Sequence, residues 1–135
     1  MSDCIFCKIA AGEIPSDCLY QDELVYAFKD IAPQAPVHFL VIPKEHTEGL
    51  LDTPDETLAA VVARVKKVAA HVKEALPCDG FNILQNNGPA AGQTVPHLHF
   101  HIVPRLGSDV AADISFANHP GDMQHLKALA ERLRF

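Results

Sequence analysis

The stretch His97-Leu98-His99-Phe100-His101-Ile102-Val103 decides the fold. Successive side chains of a β-strand point to opposite faces, so this spacing predicts a strand with three imidazoles on one face and Leu98, Phe100 and Ile102 on the other. The apolar face can be buried in a core. Ring nitrogens, by contrast, need partners once they leave water. The histidine face is therefore expected to hold shared hydrogen bonds, a phosphate or a metal.

The segment that precedes this strand, residues 86–94, is glycine-rich, polar and uncharged. A loop of this composition suits an anion, because glycine lets the backbone come close while amide and hydroxyl groups supply donors. At about ten residues it is longer than most hairpin connections, and long ordered loops are often functional. An ordinary hairpin loop is the alternative interpretation.

The composition predicts one cytoplasmic domain. A chain of 135 residues, 48% of them hydrophobic, can fill a single core. The formal net charge of -6 argues against a protein that binds a nucleic-acid backbone, since such proteins carry a basic patch. No apolar run approaches about 18 residues, and the N-terminus lacks the regions of a signal peptide, so neither a membrane association nor secretion is expected.

Cysteine usage is the next informative feature. Four cysteines in a cytoplasmic chain are expected to be reduced or metal-bound rather than paired in disulfides. Cys4-x-x-Cys7 allows two interpretations, a redox pair or half of a zinc site. The redox interpretation requires a thioredoxin-like βαβ context, and no such pattern follows. A zinc site requires two further ligands, which this spacing alone does not identify.

Hydrophobic periodicity predicts an α+β domain. A short helix is expected over 4–11, and strands over 17–20, 24–29, 37–42, 81–86 and 97–104. Between the third and fourth strands a long helix is expected to begin at a capping box, with Thr53 as N-cap and Glu56 at the third helical position, and to end at Pro77. Arg64 is expected on its solvated side. The pattern predicts an antiparallel sheet of about five strands with this helix against it.

A final helix is expected near the C-terminus, because Asp122 can cap it. Its apolar side chains share one stripe and predict packing on the body of the domain or on a partner subunit; they are Met123, Leu126, Leu129, Ala130 and Leu133.

Four blocks of the sequence, in the same order, resemble the histidine triad (HIT) family, in its branch of small nucleotide-binding hydrolases. They are the histidine stretch 97–103 and the segments 4–9, 30–44 and 92–96. The resemblance implies a single HIT domain over 1–135, with a core at 4–105 and a C-terminal extension at 106–135. It also implies a HIT-like fold, with shorter N- and C-terminal helices beside the long one, and a homodimer whose sheets join across the interface.

The resemblance assigns roles to four histidines. His99 matches the family's nucleophile, and a backbone carbonyl or a neighbouring ring is expected to hold its other nitrogen as the N–H donor. His101 and His38 are expected to bond to each other and to support the developing charge. His97 either helps to orient the site or binds zinc. A neutral imidazole is a competent nucleophile toward phosphorus at physiological pH.

The resemblance also implies ligand-binding residues. Zinc-bearing members use histidines at the positions of His46 and His97, which with Cys4 and Cys7 would complete a structural zinc site. Asp30 matches an acidic residue that accepts hydrogen bonds from ribose hydroxyls. The other residues implied for nucleotide binding are Phe6, Ile9, Phe28 and Ile31 around the base, and Asn86, Gly92, Gln93 and Thr94, with the loop amides, around the α-phosphate. Plain core packing is the alternative for the four apolar residues, and two buried thiols with a free histidine are the alternative to zinc.

The implied reaction is hydrolysis at the α-phosphorus of a purine nucleotide derivative through a covalent nucleotidyl-histidine, with release of the nucleoside monophosphate. That chemistry requires no divalent metal. Thr94, where the family often has serine, and the ending Ile102-Val103-Pro104-Arg105 leave nucleoside phosphoramidase and dinucleoside polyphosphate hydrolase both open. Two other functions stay open: a metal-dependent hydrolase whose strand histidines hold a catalytic ion, and a non-catalytic dimeric adaptor that binds nucleotides.

Overall fold

The structure, a computed structural model, describes residues 3–30, 38–76, 78–105 and 121–135. Five strands form one antiparallel sheet in the order β1–β2–β3–β5–β4. The strands are β1 (Cys18–Gln21), β2 (Val25–Lys29), β3 (Phe39–Pro43), β4 (Gly80–Leu84) and β5 (Phe100–Arg105). The helices are α1 (Ile5–Ala10), α2 (Asp55–Ala75) and α3 (Met123–Leu133). The α+β architecture predicted from the sequence is confirmed.

Alternation along the strands divides the core into two layers. On one face of the sheet the valines of α2, including Val61, Val65 and Val72, pack against side chains from three strands and against Leu98. On the other face α1 supplies Phe6 and Ile9, which pack against alternate residues of β2 and β3. Burial of apolar surface on both faces stabilises the sheet and fixes the direction in which each strand side chain points.

The histidine stretch is only partly a strand. The alternation of its side chains is confirmed, because Leu98, Phe100 and Ile102 all lie in the core beneath α2. The prediction of a strand from residue 97 is wrong, since β5 begins at Phe100. Before that point the backbone bonds outside the sheet: the His97 N–H donates to the carbonyl of Val95 at 2.8 Å. The Leu98 N–H donates to the carbonyl of Thr47 at 2.7 Å.

The predicted capping box of α2 is also wrong. The helix begins at Asp55, with Pro54 as the N-cap residue and no side-chain cap bond. The Thr53 hydroxyl lies 2.6 Å from the carbonyl oxygen of Gly49 and 2.8 Å from the hydroxyl of Thr47, so it stabilises the preceding turn instead. A local hydrogen bond of this kind competes with the helix cap for the same oxygen.

The C-terminal helix begins as expected. Oδ1 of Asp122 accepts the backbone N–H groups of Gln124 and His125, at 3.1 and 3.3 Å. The expected packing on the body of the domain is not found, because within residues 121–135 only Leu129 is even partly buried. No helix in the described part of the chain combines the length and hydropathy needed to cross a membrane.

Candidate active site

The three histidines of the triad stretch divide between two neighbouring clusters. His97 turns toward the two cysteines of the N-terminal segment, whereas His99 and His101 lie side by side with ring centroids 4.9 Å apart. Among the described residues, the three rings do not form a common group of metal ligands. A single catalytic ion held by all three histidines therefore finds no support in this geometry.

The orientation of His99 is fixed by its own backbone. Its Nδ1 lies 2.6 Å from the carbonyl oxygen of His97, and a carbonyl can only accept, so Nδ1 carries the hydrogen. Nε2 then holds the lone pair. The ring is 4% exposed, and burial lowers the pKa of His99 below its usual value, which favours the neutral form. Phe6 meets the ring edge-on at a centroid distance of 5.0 Å.

His101, His38 and Asp30 form a chain beside His99. Nδ1 of His101 and Nε2 of His38 lie 2.8 Å apart, and Nδ1 of His38 lies 3.6 Å from a carboxylate oxygen of Asp30. Burial, followed by the neighbouring histidines, lowers the pKa of His101 to about 4. In the described part of the chain, Nε2 of His101 is the buried side-chain atom that has no hydrogen-bond partner. A buried polar atom of this kind usually meets a ligand or water.

The second cluster joins Cys4, Cys7, His46 and His97. Their ligand atoms lie within 4.8 Å of one another. The Sγ–Nδ1 distances are 3.3 Å from Cys4 to His97, 3.6 Å from Cys7 to His97 and 3.4 Å from Cys7 to His46, and the two Nδ1 atoms are 3.2 Å apart. A tetrahedral zinc ion with ordinary Zn–S and Zn–N bonds separates such atoms by about 3.3 to 3.8 Å. The four residues fit that geometry.

His97 has the tautomer that a metal ligand needs. Its Nε2 donates to the carbonyl oxygen of Pro43 at 2.8 Å, which leaves the lone pair on Nδ1, the atom that faces the two sulfurs. Ligand histidines commonly donate their other N–H to a carbonyl in this way. Burial lowers the pKa of His97 to about 4 and raises the pKa of the Cys7 thiol, which favours the neutral form of both groups.

Three of the apolar residues expected around a base lie in one hydrophobic cluster, and one of them, Phe6, contacts the His99 ring. Phe6, Ile9 and Phe28 belong to the core cluster on the α1 face, and Phe6 packs edge-on against Phe28 at 5.6 Å. Ile9 and Phe28 are each 1% exposed, and Phe6 is 7% exposed. Ile31, the fourth residue of the expected slot, lies outside the described residues.

The glycine-rich loop carries a single turn of 3-10 helix, Pro89–Ala91, between two glycines with positive φ, Gly88 and Gly92. Gln93, expected near a phosphate, is engaged within the protein. Its Oε1 accepts the N–H of Gly88 at 2.8 Å, and its Nε2 donates to the carbonyl of Glu48 at 2.6 Å. The amide group of Asn86 lies 3.5 Å from where a Cβ on Gly92 would stand.

Two features of this loop were not predicted from the sequence. The side chain of Asn87 accepts the N–H of Leu50, and it lies so close to Gly49 that a Cβ there would require Asn87 to move. The only hint in the sequence was Gly49, an isolated glycine soon after the predicted metal ligand His46. It could not be interpreted, because only the fold brings the segment near residue 49 against the loop.

Comparison with known proteins bears on this site as a whole. A family model described as the HIT domain matches residues 11–107. The chain is 41% identical over 130 residues to the adenosine 5'-monophosphoramidase of Schizosaccharomyces pombe, which covers 96% of this chain and 95% of that protein.

Solved structures give the same result. A Streptococcus mutans protein superposes with a TM-score of 0.92 at 47% identity, covering 99% of this chain and 85% of that chain. The histidine triad nucleotide-binding protein from Candida albicans superposes with a TM-score of 0.85 at 39% identity, covering 98% and 95%. The family predicted from four sequence blocks is confirmed: the chain belongs to the HIT family and is a hydrolase of that family.

Proposed function

We propose that this protein hydrolyses purine nucleoside phosphoramidates, and related nucleotides with another leaving group, at the α-phosphorus, through a covalent nucleotidyl-His99 intermediate. One observation carries the proposal. Nδ1 of His99 is committed as a donor to the carbonyl of His97, so the lone pair of this buried, neutral ring is on Nε2. A desolvated imidazole with a fixed lone pair is well prepared to attack phosphorus.

The reaction proceeds in two steps. Nε2 of His99 attacks the α-phosphorus, a nitrogen–phosphorus bond forms, the bond to the leaving group breaks, and the departing amine takes up a proton. Water then attacks the same phosphorus and loses a proton, which replaces the one taken up by the amine, and the bond to Nε2 breaks. The products are the nucleoside monophosphate and the original neutral ring. Each step is a substitution at phosphorus, so no oxidant or reductant is involved.

The surrounding groups support the charge that develops in these steps. Nε2 of His101 is buried and lacks a partner among the described residues, which suits a contact with an oxygen or with the leaving group. The bond from His101 to His38, and the proximity of His38 to Asp30, give a route along which a proton can shift. A donor aimed at developing charge is typically worth about 3 kcal/mol. In this proposal Asn86, Gly92, Thr94 and the loop amides bind the α-phosphate, and Asp30 binds the ribose.

Relatives favour the phosphoramidate as the substrate class. The Schizosaccharomyces pombe protein that aligns with nearly all of this chain is named for that activity on an adenosine derivative. The base is expected beside Phe6, Ile9, Phe28 and Ile31. Because Ile9 and Phe28 are almost fully buried, Phe6 is the residue of the described three most able to meet a purine directly.

The comparison of wild type with His99→Ala tests the function. Loss of the attacking atom should lower AMP release from an adenosine phosphoramidate by about a thousandfold or more. The affinity for AMP, measured by calorimetry, should change little, because the proposed binding contacts lie elsewhere. A variant that turns over at the wild-type rate would refute the mechanism. A wild-type chain that binds AMP without turnover would support the adaptor alternative.

We also propose that Cys4, Cys7, His46 and His97 hold a structural zinc ion. Distances of 3.2 to 3.6 Å between facing atoms fit a tetrahedral ion, and four protein ligands leave no position for substrate. Bound zinc would neutralise the charge of the two thiolates and would hold α1 against the segment before β5. Elemental analysis of protein prepared in metal-free buffer should give close to one zinc per chain and much less in Cys4→Ser. A zinc content near zero in the wild type would end this proposal.

The functional unit proposed is a homodimer of single-domain chains, each a HIT domain over 1–135 with its core at 4–105. Phe81 and Ile83 of β4 support a dimer, since they are 40% and 41% exposed although they share the sheet face that α2 covers. Val62 of α2 is 47% exposed. β4 ends one side of the sheet, so a second copy can pair along it.

A further inference from the structure

Asn87 is not needed by the chemistry proposed above, yet its side chain joins two distant segments. Oδ1 accepts the backbone N–H of Leu50 at 2.8 Å, across 37 positions of sequence. Oδ1 also accepts from Nε2 of Gln85 at 3.1 Å, and Nδ2 donates to Oε1 of Gln85 at 2.6 Å. Both polar atoms of the side chain are therefore used within the protein. We call the bond from Leu50 to Asn87 the Asn87 bridge.

The turn at 48–52, on the far side of this bridge, is held by bonds of its own. The carboxylate of Asp52 accepts the backbone N–H groups of Glu48 and Gly49, at 3.0 and 2.8 Å. The Thr53 hydroxyl lies 2.6 Å from the carbonyl oxygen of Gly49. These bonds do not involve Asn87, so the turn is expected to keep its shape when the bridge is broken.

The chain just before this turn is linked to both clusters of the site. Thr47 joins the turn to His46 of the cysteine–histidine cluster, and its carbonyl accepts the N–H of Leu98, the neighbour of His99. The loop that carries the proposed phosphate donors is attached to this turn at two points. Gln93 attaches its far end, by donating to the carbonyl of Glu48 at 2.6 Å, and Asn87 attaches its near end.

We propose that Asn87 is a positioning residue, which fixes the near end of the glycine-rich loop so that the loop donors face the phosphorus attacked by His99. This inference rests on the proposed function, because it concerns that same site. Without the bridge, the bond from Gln93 to Glu48 is, among the described residues, the remaining hydrogen bond between the loop and the turn at 48–52, so the near end of the loop can shift and its backbone donors are less well aimed. Displacement of reacting groups by about 1 Å can lower the rate roughly a hundredfold. Because the loop stays attached at its other end, we expect loss of the bridge to lower kcat about tenfold.

A substitution at Gly49 is a second, independent way to break the Asn87 bridge. A Cβ on Gly49 would lie 2.8 Å from Oδ1 of Asn87, closer than real Cβ atoms approach an oxygen. The obstacle is the end of a side chain, so Asn87 can move away at little cost to the fold. Gly49→Ala should therefore break the bond to Leu50 without removing the Asn87 side chain.

The experiment is a double-mutant cycle on the full chain with an adenosine phosphoramidate as probe. Asn87→Ala and Gly49→Ala should each lower kcat about tenfold, and the double variant should be no slower than Asn87→Ala, because both changes break one bond. Asn87→Asp keeps an acceptor for the Leu50 N–H and should recover most of kcat. Leu51→Ala, a change in the same turn at a side chain that is 95% exposed, is the control and should keep wild-type kcat.

Two further readouts separate positioning from stability. The urea midpoint and the zinc content should match the wild type in every variant, whereas amide exchange at Leu50, followed by NMR, should be faster in Asn87→Ala and Gly49→Ala. Losses of kcat that add in the double variant would overturn the proposal. So would an Asn87→Asp variant as slow as Asn87→Ala, or kcat losses that only follow the urea midpoint.

The failure of the proposed function would be visible separately. A wild-type chain without turnover refutes that function, while exchange at Leu50 still reports the bridge. In that case the AMP affinity of the same variants tests the positioning role. Asn87→Ala and Gly49→Ala should each weaken AMP binding, and the double variant should bind no more weakly than Asn87→Ala. Equal affinities across the set would overturn it.

Discussion

The chemistry of the site depends, at the residue scale, on which nitrogen of each histidine is committed to the protein. His97 gives Nε2–H to Pro43, and His99 gives Nδ1–H to His97. These two bonds leave opposite nitrogens available, so Nδ1 of His97 faces two sulfurs and Nε2 of His99 is available for the proposed attack. The residue types were readable from the sequence. The tautomers were not, because each depends on a carbonyl that the fold brings within reach.

Gly92 provides a prediction at this scale. It ends the 3-10 turn with φ 94° and ψ 10°, a left-handed conformation that costs an alanine about 1 kcal/mol. Gly92→Ala should lower the free energy of unfolding by about that amount, and it should also lower turnover, because relief of the strained φ would shift the backbone of the loop beside Asn86. Urea unfolding and AMP release measure the two effects.

The matched control for this change is Gly80→Ala. Gly80 lies in β4 without positive φ, and a Cβ there meets no atom within 4 Å. That variant should be as stable as the wild type or slightly more stable. A Gly92→Ala protein that equals the wild type in both measurements would show that the loop does not need this conformation.

At the scale of elements, one carboxylate connects the β1–β2 hairpin to the long helix. Oδ2 of Asp22 accepts the Tyr20 hydroxyl at 2.7 Å and Nε of Arg64 at 2.9 Å, while Oδ1 accepts the N–H groups of Leu24 and Val25. Burial alone would raise the pKa of Asp22, but these bonds outweigh it and hold the pKa well below the usual range. Arg64, predicted on the solvated side of α2, is instead part of this contact.

Asp22 predicts a pH dependence of stability. Its pKa is lower in the folded chain than the value near 4 in the unfolded chain, so its contribution is complete above about pH 4 and is lost as the pH falls below it. Asp22→Asn should cost about 2 kcal/mol of unfolding free energy at pH 7 and clearly less at about pH 2, because the contribution is lost only as the pH falls from the unfolded-state pKa toward the lower folded-state pKa. Urea unfolding at both pH values measures this, with the exposed Asp79→Asn as control. An equal cost at both pH values would show that the charge is unimportant.

The sequence predicted elements better than their ends. Hydrophobic periodicity located five strands and three helices, because burial on a defined face imposes the period. It was wrong where other bonds replaced the expected ones. The Thr53 hydroxyl bonds to the 47–49 segment, and the backbone N–H groups of His97 and Leu98 bond to Val95 and Thr47. Those partners are distant or irregular, so no local pattern reports them.

At the scale of the whole molecule, exposed apolar side chains on β4 and α2 support the proposed homodimer. Ile83→Lys should convert a dimer into a monomer, because a charged side chain on this strand would have to be buried against the second copy. Sedimentation equilibrium measures the change, with Leu51→Lys as the control on an exposed turn. A wild-type chain that sediments as a monomer would contradict the proposed assembly.

Much of the candidate site was predictable because many of its residues belong to short sequence motifs. Cys4-x-x-Cys7 and the alternating histidines each signal chemistry on their own, and the family resemblance supplied His46 and His38. Only the folded chain shows that the ligand atoms of Cys4, Cys7, His46 and His97 lie close enough together to share one ion. The Asn87 bridge is of the same kind, since it connects two loops that carry no shared motif.

The central claim is that the Nε2 lone pair of His99 attacks phosphorus and becomes covalently bound to the nucleotide. Its most direct test is mass spectrometry of enzyme mixed with an adenosine phosphoramidate and quenched rapidly with alkali, with peptide fragmentation to locate any adduct. The account predicts an AMP adduct on His99, rather than on His97 or His101, and none in His99→Ala. An adduct on another residue, or full turnover by His99→Ala, would contradict it.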